Sequence, residues 1–244
     1  MVLAYLLNLI HRLAVYFNFL KAKYTVKEVK QYGRDIYAIT LIPESKKLKY
    51  TAGQYYYLKI DKYIGEEHPF SLLEYKENGD IVFGIKNIGL FSQRLSNLKI
   101  NQTVYVEGPY GVFTKEGQNK EPKIILAGGI GFTPFYELIK GYNNDKTYLF
   151  YCNKKIDEAV NIIENKQFLG DRYFNVLDED NTSGDTIINK RIDIEVIKKN
   201  IPDKVYKKAN FFICGSPNYI SAMQKILCEN GIDKNRVFCE EFSL

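Results

Sequence analysis

The chain has 244 residues, room for two domains of the usual ~100–150 residues each. It is 45% hydrophobic and 26% charged, which argues against disorder, and its net charge of +5 comes with no basic stripe interleaved with aromatics of the kind that grips nucleic acid. Its 4 cysteines form no C-x-x-C pair and its 2 histidines are too few for a histidine metal site, which argues against an iron–sulfur cluster, a zinc site or paired haem ligands within this chain, while scattered thiols suit a reducing compartment.

Residues 2–20 are mostly apolar, with Asn8, His11, Arg12 and Asn18 on one narrow helical face. Lys21, Lys23, Lys27 and Lys30 follow at once, the pattern of the cytoplasmic side of a membrane. Charge in mid-segment weighs against a full span, since a central charge costs about 2.5–3.5 kcal/mol on insertion scales. Three readings stand: an interfacial amphipathic helix, the cytoplasmic end of a transmembrane helix of a longer protein, or an ordinary core helix. Residues 1–22 are read as an N-terminal amphipathic or membrane-proximal helix.

Residues 23–119 read as a small antiparallel β-barrel. YTVKEV, DIYAITLI, QYYYLKI, DIVFGIK and TVYVEG are rich in β-branched and aromatic residues and are broken by glycines and Pro43. A helix over Leu90 to Leu98 interrupts them. Two pieces stand out. His68-Pro69-Phe70-Ser71 ends a strand region; on residues alone it is either a ligand wall or a strand edge carrying a proline. Gly89-Leu90-Phe91-Ser92 opens the helix; on residues alone it is either a phosphate site, where unpaired N–H groups meet an anion, or a capped helix with no ligand.

Residues 120–244 read as an α/β Rossmann-like unit with a parallel sheet. KIILAG is a buried strand, Gly128-Gly129-Ile130-Gly131 a tight turn, and Thr133-Pro134 a helix start with Thr133 as cap. TYLFYC and FNVLDE are further strands, with a helix over Asp157 to Asn165 between them. ANFFICG follows, and Ser216-Pro217 opens another helix in the same way. Such alternation makes a parallel sheet with ligands at the strands' carboxyl ends. The glycine turn lets backbone approach a pyrophosphate, although Pro134 stands where the third glycine of G-x-G-x-x-G would be.

The order of these pieces carries more than any one. A barrel half with Gly53-Gln54-Tyr55 and His68-Pro69-Phe70-Ser71 is followed by Gly89-x-Phe91-Ser92, Gly108-Pro109-Tyr110-Gly111, AGGIGFTP, Cys214-Gly215 and a terminal Glu240-Glu241-Phe242. Over residues 22–244 the chain resembles the ferredoxin-reductase-like flavoprotein superfamily, and within it the dehydrogenase domain of the NADPH oxidase and ferric reductase family, in a bacterial form. His-Pro-Phe-Ser is the mark of that branch, where most relatives have R-x-Y-[ST].

The resemblance implies FAD, an NADH or NADPH donor, and residue roles. Phe70 packs on the flavin ring, Ser71 hydrogen-bonds its hydride-accepting nitrogen, and His68 and Pro69 shape the site, His68 standing where others use Arg. Gly89, Phe91 and Ser92 form a second phosphate element. Gly128, Gly129, Gly131, Thr133 and Pro134 form the nicotinamide-dinucleotide site. Cys214, Gly215 and Ser216 match the C-G-P element near the nicotinamide, with one residue more. Phe242 covers the other flavin face, leaving Ser71, Cys214 and Phe242 as the catalytic set. Where NADPH-using relatives have Arg after the second strand, this chain has Asn153, Lys154 and Lys155, so that Lys154 becomes the 2′-phosphate partner and use of both donors is implied. The family passes electrons singly to a transmembrane haem domain, then to oxygen or ferric iron, at the cytoplasmic face of the cell membrane. The haem is expected on a missing transmembrane part or a partner. A soluble reductase for a diffusible acceptor and a non-catalytic reductase-like module are the alternatives.

Overall fold

A computed structural model describes residues 21–44, 47–61 and 65–241. The helix expected over residues 1–22 falls almost wholly outside them, and so does Phe242.

The first half is a closed barrel. Its strands are β1 (Ala22–Tyr32), β2 (Ile36–Pro43), β3 (Tyr55–Lys59), β4 (Glu67–Tyr75), β5 (Ile81–Lys86) and β6 (Thr103–Tyr110), in the order β1-β2-β5-β4-β3-β6. Alternation sets the inner face: Ala22, Tyr24 and Val26 point into the barrel while Lys23 points out. Helix α1 (Leu90–Ser96) closes one end, burying Phe91 and Leu95 against the same core.

The second half is a six-stranded sheet. It contains β7 (Lys123–Gly128), β8 (Thr147–Asn153), β9 (Tyr173–Leu177), β10 (Ile187–Ile188), β11 (Asn210–Gly215) and β12 (Val237–Glu241), in the order β10-β9-β8-β7-β11-β12. All neighbours are parallel. The middle strands are mostly apolar because both faces are covered. One face carries α4 (Ile194–Lys199), α5 (Asp203–Tyr206) and α6 (Pro217–Glu229). The other carries α2 (Tyr136–Tyr142) and α3 (Ile162–Leu169) and packs on the barrel. There Ile36, Ala38, Leu73 and Val82 of the barrel share one core with Phe132, Phe135 and Phe212.

Three local expectations are corrected. Thr133-Pro134 does not open a helix. Both lie inside a 3₁₀ turn over Gly129–Phe135, and α2 begins only at Tyr136. Thr133 is buried and its hydroxyl donates to the Ile130 carbonyl at 3.1 Å, so it closes the turn from within. The helix expected over Asp157 to Asn165 is broken: Ile156–Glu158 is one 3₁₀ turn, and α3 starts at Ile162 after Asn161 takes a left-handed φ of +54°. His68-Pro69-Phe70-Ser71 does not end a strand but fills the first half of β4.

Candidate functional site

Strand β4 changes partners along its length. Residues from Glu67 to Ser71 pair with β3, whereas pairing with β5 begins only at Leu72. The first half of β4 therefore has one free edge, and a proline is tolerated there because its missing N–H costs no ladder bond. The splayed edge faces a cleft of about 1420 Å³ between barrel and sheet.

The barrel wall is aromatic. Phe70 stacks on Phe91 with centroids 6.2 Å apart, and the His68 ring lies 4.4 Å from the same phenyl. His68 Nε2 stands 3.2 Å from a Glu66 carboxylate oxygen. Ser71 is buried at the base of this wall, and its hydroxyl has no partner among the described residues. Ser92, by contrast, is fully engaged. Its Oγ accepts from the amides of Ile88 and Gly89 at 3.0 Å each and donates to the Gly89 carbonyl at 2.9 Å. That hydroxyl shapes the helix start, and the next amides, with no carbonyl one turn back, remain for a ligand. A Cβ on Gly89 would meet nothing within 4 Å, so the approach is open.

The sheet wall is the carboxyl end of β7, β8 and β11, where strand order reverses between β7 and β11. Gly129 takes a φ of +52° with nothing within 4 Å of its missing Cβ. Gly128 and Gly215 serve another purpose. A Cβ on either would lie under 3 Å from the ring of Tyr219, which lies across both strand ends and donates its hydroxyl to Cys152 Sγ at 3.3 Å. Ser216 caps α6 by accepting from the Tyr219 amide at 3.3 Å. Lys154 lines the cleft with its ammonium 2.9 Å from Glu179 Oε1.

Not every expected residue reaches the cleft. Gly131 sits behind it, where a Cβ would stand 2.3 Å from the Cys214 carbonyl oxygen. Pro134 and Cys214 are buried within the fold; Cys214 packs in the core shared by barrel and sheet, and burial pushes its thiol well above its ordinary range. Its side chain is thus placed to space the backbone there.

The structure adds residues that sequence reasoning passed over. Glu240 lies opposite Cys214 in the β11–β12 register and lines the cleft, with Oε2 buried and without a partner among the described residues. Burial pushes its carboxyl up to about 7. Asn153, at the end of β8, is buried with neither amide atom hydrogen-bonded among the described residues. The sequence signal for Glu240 was its place two residues before the terminal aromatic. Asn153 gave none.

The donor set fits two nucleotides. An aromatic wall with a free serine hydroxyl at its side suits a flat polar ring system such as FAD. An open left-handed glycine at the strand switch point, beside orphaned buried amide atoms, suits a pyridine dinucleotide.

Comparison with known proteins agrees with this division. Residues 21–114 match the model of an FAD-binding domain, and residues 125–225 that of an oxidoreductase NAD-binding domain. The chain is similar to NADH-cytochrome b5 reductase 1 of Lodderomyces elongisporus, 27% identical over 68% of this chain and 58% of that protein. It is similar to the reductase component of propane 2-monooxygenase of Mycolicibacterium smegmatis, 27% identical over 89% of this chain and 66% of that protein. It therefore spans about three fifths to two thirds of the length of these relatives. In fold it is similar to flavohemoglobin from Malassezia yamatoensis, with a TM-score of 0.77 at 22% identity over 97% of this chain and 64% of that one.

Proposed function

This chain belongs to the ferredoxin-reductase-like superfamily of FAD- and NAD-binding proteins, and from that premise we propose that it is an NADH-dependent flavin reductase that delivers electrons to a separate acceptor protein. One observation carries the reading: a single cleft brings the His68–Ser71 wall of the barrel against the glycine turn after β7. FAD held by the His68–Ser71 wall would supply hydride acceptance from the reduced nicotinamide and single-electron release.

The protein supplies position and charge. Phe70 and Phe91 offer a flat apolar surface, and Ser71 a hydroxyl free to donate. Glu240, poised near neutrality, holds or gives up a proton at Oε2 on the side of the cleft built by β12. Gly129 leaves the backbone open to phosphate. Glu179 neutralises Lys154, the lysine best placed for a 2′-phosphate, and Asp178 lines the cleft beside it, which favours NADH over NADPH. One relative is named for NADH, and both are named as reductases, of a cytochrome and of a monooxygenase.

Anaerobic absorbance of the FAD-loaded protein tests this. NADH should bleach the flavin band; absence of bleaching with FAD bound would sink the reading. The second reading, a dehydrogenase domain of the NADPH oxidase and ferric reductase branch, rests on His68-Pro69-Phe70-Ser71 and on the apolar residues 2–20 with their trailing lysines. It makes the acceptor a membrane haem, the location the cytoplasmic membrane face, and the final oxidant oxygen or ferric iron. Haem reduction in membranes on adding NADH, lost when this chain is deleted, would favour it.

A further inference from the structure

The turn between β1 and β2 belongs to the barrel but rests on the sheet domain. Gly33 takes a φ of +54°, and a Cβ there would stand 2.9 Å from Glu158 Cγ and 3.3 Å from its Cα and N. The turn lies tightly against Glu158, at a φ that favours glycine. The turn is braced on its own side as well. Gln31 Nε2 donates to the carbonyls of Gly33 and Arg34 at 3.2 and 3.1 Å, and the Asn87 amide donates to the Asp35 carbonyl at 2.7 Å. Arg34 is thus fixed at its backbone and exposed at its side chain, and it lines the same cleft as Lys155.

Several of the neighbouring charges are already engaged. Lys86 lies 3.8 Å from Asp35, Lys154 lies 2.9 Å from Glu179, and the Glu158 carboxylate accepts from the Lys154 amide at 3.2 Å. Arg34 and Lys155 have no side-chain partner among the described residues. The turns that meet a dinucleotide at the strand ends, Gly128 to Pro134 and Gly215 to Asn218, contain no cation at all. They offer amides but leave the two negative charges of a diphosphate to be met from elsewhere.

We propose that Arg34 and Lys155, reaching in from either side of the Gly33–Glu158 contact, hold the diphosphate of the pyridine dinucleotide, so that the barrel itself takes part in binding the donor. The proposal rests on the donor-binding reading above. A guanidinium fork suits phosphate oxygens, and its placement on a glycine-braced turn removes much of the ordering cost. Because the hairpin touches the sheet domain, donor binding also ties the two halves together.

The test uses FAD-loaded protein and isothermal titration with NADH and with ADP-ribose, which keeps the diphosphate and lacks nicotinamide. Arg34→Gln should weaken both by about tenfold, with a flatter salt dependence, unchanged flavin content and unchanged melting temperature. Arg34→Lys should recover part of the loss. Arg191→Gln, which removes another cation lining the same cleft, should cost less. Unchanged affinities in Arg34→Gln, an equal loss in Arg191→Gln, or loss of flavin instead of dinucleotide would each overturn the assignment. Failure of the wild-type protein to bind NADH would sink the donor reading itself.

Discussion

The ammonium of Lys154 is held 2.9 Å from the carboxylate of Glu179, across the carboxyl ends of β8 and β9. Both groups are exposed, so the pair contributes little to stability and its consequence is for recognition. Glu179→Gln should free the lysine for a 2′-phosphate. Steady-state kinetics with both donors should show NADPH kcat/KM rising by about tenfold relative to NADH, with no change in melting temperature. An unchanged ratio would remove Lys154 from the donor site.

Glu240 predicts a pH dependence whose sign is fixed. Its folded carboxyl is raised to about 7, above the ordinary 4.5, because burial disfavours the charge. A raised acid stabilises the fold while it is protonated in both states, and that contribution is lost as pH climbs from about 4.5 through about 7. Glu240→Gln should abolish this loss and raise the melting temperature at pH 8 by roughly 2–5 °C, while leaving it unchanged near pH 4. Flavin reduction by NADH should show a break near 7 that the same variant removes.

Ser71→Ala removes a hydroxyl with no partner among the described residues, so the fold should lose little. Flavin content and melting temperature should hold, while the rate of flavin bleaching by NADH falls about tenfold, the usual scale for one lost hydrogen bond to a reacting centre. Stopped-flow absorbance reads the rate directly.

Gly131→Ala forces a methyl to within 2.3 Å of the Cys214 carbonyl oxygen. Backbone cannot yield as a side chain does, so destabilisation should exceed about 2 kcal/mol, a fall of roughly 4–8 °C in melting temperature. If the glycine turn shifts instead, NADH affinity should fall while FAD stays bound. Calorimetry and titration together separate the two.

The two-part architecture was legible because each half carries its own period. Alternation in YTVKEV marked a barrel strand, and unbroken apolar runs such as KIILAG marked strands covered on both faces. Ser216-Pro217 was read correctly as cap and first turn. Thr133-Pro134 has the same grammar but a different outcome, because packing of Thr133 against Gly84 draws the chain into a tighter turn. The motif readings over β4 and the glycine turn fall on residues that line the cleft. Cys214 was placed at the chemistry, yet nothing in the all-apolar FFIC run tells which face of the strand it takes. Glu240 and Arg34 reach the cleft through strand register and a turn contact across domains; Arg34 leaves no local mark in the sequence, and Glu240 only its place two residues before the terminal aromatic.

The seam where Ile36, Ala38, Leu73 and Val82 meet Phe132, Phe135 and Phe212 bears on how such proteins can be recombined. A chimera cut between β6 and β7 would inherit half of an apolar surface shaped for its old companion. A donor-binding half transplanted from a relative would need those four barrel side chains, and the glycine of the β1–β2 turn, to travel with it. The unit of inheritance here is the pair of domains, and exchange of donor preference by whole-domain grafting should yield insoluble protein where point changes at the strand ends succeed.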